Sequence, residues 1–99
     1  MQMHLAPNEL TAQSLWLAKQ SATTSDQLAE LAATEWEPLQ LAVARHQNTP
    51  SSTIDQVWQK IRAQHDHPSQ IDRLMYDSFA GNPNTSDRIR DELRKLLQW

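Results

Sequence analysis

The sequence predicts an all-α fold, a short right-handed α-α superhelix built as a helical repeat stack of about six helices. Three observations carry that expectation. Glycine occurs once, at position 81, so the positive-φ turns that a hairpin-based β architecture needs are hard to supply. Alanine, leucine and glutamine, all favourable in helices, are abundant. An alanine followed five residues later by a threonine recurs three times, as Ala18 to Thr23, Ala44 to Thr49 and Ala80 to Thr85.

The recurrence extends downstream, because Leu31, Val57 and Leu93 each fall eight residues after their threonine. The copies are spaced by 26 and then 36 residues. A second marker accounts for the difference: Ala33, Pro38 and Gln40 match Ala63, Pro68 and Gln70 at the same offsets. Relative to it, one helix gains four residues and a later one six, about one and two turns of helix, which lengthens helices without breaking a stack. A single domain over residues 1–99 results, with units at about 8–34, 35–65 and 66–99.

Each helix follows from spacing. Residues from about 8 to 20 are weakly patterned, with Asn8 as a candidate N-cap and Leu10, Leu17 and Ala18 on one face. From Thr24 or Ser25 to about Ala33, Leu28, Leu31 and Ala32 recur at helical spacing. Residues 36–46 follow with Leu39, Ala42 and Val43. The pattern is clearest over 50–65, where Ile54, Val57, Trp58 and Ile61 occupy positions i, i+3, i+4 and i+7. Residues 68–80 repeat it with Ile71, Leu74, Met75, Ser78 and Phe79, and residues 86–98 bury Ile89, Leu93, Leu96 and Leu97.

The joints have chemistry of their own. Thr49 before Pro50 fits an N-cap with proline at the first helical position. Gly81 suits a left-handed position just past its helix, and Pro83 blocks continuation. Thr85 or Ser86 can cap the last helix. Asn48 and Asn84, each one residue before an aligned threonine, suit turns held by side-chain bonds to local backbone.

Composition bounds function. A formal net charge of −3 gives no footprint for nucleic acid or an anionic membrane, which need a clustered basic face. With no cysteine, disulfides, thiolate nucleophiles and cysteine-held clusters are excluded. No apolar run approaches the ~18 residues of a membrane span, and residues 1–7 lack the pattern of a signal peptide. A soluble, cytoplasmic protein is the expectation, with no cofactor.

Leu41-Ala-Val-Ala-Arg-His-Gln-Asn-Thr-Pro50 and Gly81-Asn-Pro-Asn-Thr85 resemble the leucine-rich repeat variant, a short bacterial repeat whose units pair an α-helix with a second, sometimes 3₁₀, helix. The resemblance covers roughly residues 10–97, closest in the second copy and faintest in the first, where Gln20-Ser-Ala-Thr-Thr24 keeps only the threonine. The unequal spacing departs from the family's near-constant period and suits a HEAT-like outlier. The resemblance implies structural motif residues and no catalytic set. The iron–sulfur cluster of some relatives does not transfer to a chain without cysteine.

Candidate sites are few. His65 and His67 flank Asp66 beside Pro68, a weak metal motif in a place where solvated residues belong, so no metal is expected. No nucleophile motif or phosphate loop is present, so an enzyme is not expected. Arg73, Arg88, Arg90, Arg94 and Lys95 form a candidate phosphate-binding stripe, diluted by Asp87, Asp91 and Glu92. Four tryptophans are the best lead. Trp58 lies on a core stripe, Trp16 fits core or surface, and Trp36 and Trp99 are hard to bury by pattern. With Leu96 and Leu97 at an apolar end, Trp36 and Trp99 are the candidate partner anchors. The function that follows is a non-catalytic protein–protein interaction module or small adaptor, with a protein partner or self-association. Nucleic-acid or phospholigand binding through the arginine stripe is the alternative.

Overall fold

Helices form where the apolar spacing places them: α1 (Pro7–Ala18), α2 (Ser25–Leu31), α3 (Glu37–Arg45), α4 (Ser51–Gln64), α5 (Arg73–Ala80) and α6 (Asp87–Leu97), with a 3₁₀ turn at Pro68–Gln70. The structure, a computed structural model, describes residues 7–97. The described residues contain no strand. Helices α1, α3 and α5 lie side by side with α3 in the middle, while α2 packs on α1 and α3, α4 on α3 and α6 on α5. The central position of α3 explains its burial on several sides, with Leu39, Leu41, Val43 and Ala44 all enclosed.

The α4 stripe is buried as its spacing predicts: Ile54, Val57, Trp58 and Ile61 are all enclosed, and the Trp58 ring meets Phe79 of α5 edge-on at 4.8 Å. Ile89 and Leu93 of α6 are buried as well, and Leu96 packs partly exposed against the core. The fifth helix departs from expectation. It begins at Arg73, capped by the Asp72 carboxylate on the Met75 amide at 2.9 Å, rather than at residue 68. Met75, Ser78 and Phe79 therefore face inward, and Leu74 is 53% exposed.

The three aligned threonines do one job, and it is not the expected one. Each is buried and donates its hydroxyl to the carbonyl six residues back: Thr23 to Leu17, Thr49 to Val43 at 2.6 Å and Thr85 to Phe79 at 2.6 Å. They close the end of the preceding helix, where carbonyls lack intrahelical partners. The residue that N-caps α4 is Pro50, with no side-chain bond, whereas Thr24 caps α2 in a capping box with Gln27 and Ser86 accepts from the Ile89 amide. Gly81 has φ of −79°, not a left-handed value. Its lack of a side chain matters for space instead, since a Cβ there would meet the Asp77 carbonyl oxygen at 3.0 Å.

Asn48 and Asn84 bond across turns rather than within them. Asn48 Nδ2 donates to Ser21 O and Thr23 O at 3.1 and 2.9 Å, and Asn84 Nδ2 donates to Gln47 O and Thr49 O, both at 3.0 Å. A second rung lies two residues earlier. His46 Nδ1 accepts the Asn48 amide at 3.0 Å, so its Nε2 carries the proton and donates to Gln20 O at 2.6 Å. Asn82 repeats this chemistry: its Oδ1 accepts the Asn84 amide, and its Nδ2 donates to Ala44 O and His46 O at 2.7 and 2.9 Å. The turns are thus joined by a polar ladder. At the third turn, Arg90 donates to Ala80 O, Asn82 O and Thr85 O at 3.1, 2.6 and 3.3 Å.

Candidate functional site

The ladder settles which polar side chains are committed to holding the fold. The motif threonines, His46, Asn48, Asn82, Asn84 and Arg90 all have backbone partners. Arg90, a member of the candidate phosphate stripe, is therefore a ladder residue. The rest of that stripe is mostly paired as well: Arg73 with Asp77, Arg88 with Asp55 and Arg94 with Asp91. Lys95 is exposed on α6.

The histidine motif also takes structural partners. His65 Nε2 lies 2.6 Å from Glu37 of α3, and His67 Nδ1 meets the Ser69 hydroxyl at 2.8 Å. Among the described residues no group of three or more side chains is placed to hold a metal ion. Two further ties fix α6 onto α4: Arg62 pairs with Glu92 at 3.0 Å while lying over the Trp58 ring, and Asp55 accepts from Ser86 at 3.1 Å.

Of the expected partner anchors, Trp36 stands at the N-terminal end of α3 and is 36% exposed. Its carboxylate neighbours are tied down, Glu35 to Lys60 and Glu37 to His65, both at 2.6 Å. Leu96 is half-buried against the core, so it contributes less apolar surface than a bare end would. The side chain of Leu97 and all of Trp99 lie outside the described residues.

The most exposed large apolar side chain described is one that periodicity left undecided. Trp16, on α1, is 63% exposed. Just past the end of that helix, Lys19 borders a groove between the ends of α1 and α3, about 470 Å³ in volume, whose lining also includes Arg45, Ser21, Gln47, Ala18 and Ala42. Among the described residues no carboxylate lines it. Lys19 and Arg45 make no ion pair or side-chain hydrogen bond with any described residue. Arg45 is the last residue of α3. The signal for a site is two cations brought to one groove, visible only in space.

No helix among the described residues is long and apolar enough to cross a membrane. Comparison with protein-family models, with curated proteins and with solved structures found no match to this chain.

Proposed function

We propose that the chain is a non-catalytic protein-interaction module made of three helical units, each closed by a threonine turn. The recurrence of one threonine bond at all three turns, with asparagine rungs between them, supports the unit reading and the resemblance to the leucine-rich repeat variant. The observation that carries the functional reading is Trp16, a large aromatic ring 63% exposed in the last turn of α1. Tryptophan and arginine are the residue types that most often anchor protein interfaces. Trp36 offers a second exposed ring on α3.

Phosphate binding through Arg73, Arg88, Arg90, Arg94 and Lys95 is the weaker reading, since four of the five already have partners. Affinity capture from the native host with the full chain as bait tests the module reading, with Trp16→Ala and Trp36→Ala as parallel baits and light scattering to detect self-association. A protein retained by the parent chain and lost with either variant supports it. Capture profiles indistinguishable from those of both variants, together with a strict monomer, contradict it.

A further inference from the structure

We infer that the groove between α1 and α3 binds an acidic peptide segment carrying an apolar residue, with Lys19 and Arg45 meeting its carboxylates and Trp16 covering the apolar side chain. This rests on the interaction-module reading and names the partner's chemistry at that surface.

The argument begins with what these cations are not doing. Basic residues near helix C-termini commonly serve the exposed carbonyls and the helix dipole. Here two of those carbonyls at each helix end are served by other groups. At the end of α3, Val43 O accepts from the His46 amide and the Thr49 hydroxyl, and Ala44 O accepts from Asn82. At the end of α1, Leu17 O accepts from the Gln20 amide and Thr23, and Trp16 O from the Lys19 amide and Gln20 Nε2. Arg90 shows the contrasting arrangement, a guanidinium folded onto the carbonyls of its turn. The Lys19 and Arg45 heads are left facing solvent across one groove.

The chemistry of the lining selects the occupant. Two cations, two amide or hydroxyl side chains and two alanine methyls suit a partner that alternates charge with small apolar contacts. Nucleic acid fits poorly, because two cations in a chain of net charge −3 neutralise few phosphates. Trp16, exposed in the last turn of α1, precedes Lys19 by three residues, close enough along the chain to meet a residue flanking the acidic one. His46 borders the groove with both ring nitrogens committed to Gln20 and Asn48, so it shapes the wall and does not bind.

Fluorescence anisotropy with the full chain tests this, using a labelled peptide of alternating glutamate and leucine. The comparison probes are the same peptide with lysine for glutamate and a labelled single-stranded oligonucleotide. The expected result is saturable binding of the acidic peptide that weakens at least tenfold in Lys19→Glu and in Arg45→Glu, weakens in Trp16→Ala, and is unchanged in Arg94→Glu. Because Lys19 and Arg45 are exposed, circular dichroism of the charge-reversed variants should match the parent, and Lys19→Gln with Arg45→Gln provides a milder second pair. No binding, binding insensitive to both reversals, or preference for the lysine peptide or the oligonucleotide overturns the inference. In any of those cases a host partner still captured through Trp36 leaves the broader module reading standing, so the two failures are separable.

Discussion

Arg90 holds the position in its helix that Ile54 holds one helix pair earlier, five residues after the aligned threonine. Ile54 is fully buried, as is Leu28 at the matching place in the first pair, whereas the Arg90 guanidinium folds over Ala80 O, Asn82 O and Thr85 O. Those carbonyls correspond to Ala44 O, His46 O and Thr49 O, which Asn82 and Asn84 bind one turn earlier. One arginine thus replaces the donors of two asparagines, and the ladder closes on it.

Replacing Arg90 by leucine is expected to cost about 1–3 kcal/mol through the loss of charge-assisted bonds to three carbonyls, partly offset by solvent. Lysine, with a single compact head, should restore only part. Urea denaturation measures both. Light scattering on the leucine variant should also show concentration-dependent association, since an apolar side chain and unbonded carbonyls then share one surface.

The rungs should differ in strength according to burial. Asn82→Ala strands buried carbonyls of Ala44 and His46 and the Asn84 amide, at about 3 kcal/mol. Asn48→Ala exposes its partners to water more readily and should cost about 1 kcal/mol, for Asn48 is exposed. Equal losses in chemical denaturation would contradict a ladder graded by burial.

His46 and Asn82 do equivalent work with different side chains. His46→Asn supplies the same donor and acceptor and is expected to cost under about 1 kcal/mol, against about 2 kcal/mol for His46→Ala, which unpairs Gln20 O and the Asn48 amide. Thermal melts of the two variants make the comparison.

At Thr49, valine keeps the shape and removes the hydroxyl bond to Val43 O, for an expected loss of about 1–2 kcal/mol. Serine keeps the bond and gives up one methyl, about 0.8 kcal/mol. Serine melting below valine would show that packing, rather than the hydrogen bond, makes this position a threonine.

Much of the architecture was legible because it depends on short-range spacing. The stripe from Ile54 to Ile61 and the alanine–threonine recurrence are both local patterns, and both correspond to buried or bonded positions in the structure. What the sequence concealed was long-range. Asn48 and Asn84 were placed at the correct turns, but their acceptors lie 25 to 37 residues away, so local turn chemistry was the wrong guide. Thr49 resembles an N-cap in sequence, because capping the end of one helix and starting the next call for the same hydroxyl. Leu74 looked apolar enough for the core, yet the Asp72 cap sets the helix start so that Leu74 turns outward. The arginine stripe read as one surface until Asp55, Asp77, Asp91 and the third-turn carbonyls claimed its members. Arg90 did leave a trace, a charged residue in a column otherwise filled by Leu28 and Ile54. Lys19 and Arg45 left none, since what distinguishes them is that two cations 26 residues apart meet at one groove.

Chemical-shift mapping of the isotope-labelled full chain, titrated with the glutamate–leucine peptide, tests the central claim most directly. Saturable shifts confined to the backbone amides of residues 15–21 and 42–47 and to the Trp16 indole are the result expected for a module that reads an acidic partner through the α1–α3 groove. Shifts centred on α6, or no saturable shifts at all, would contradict it.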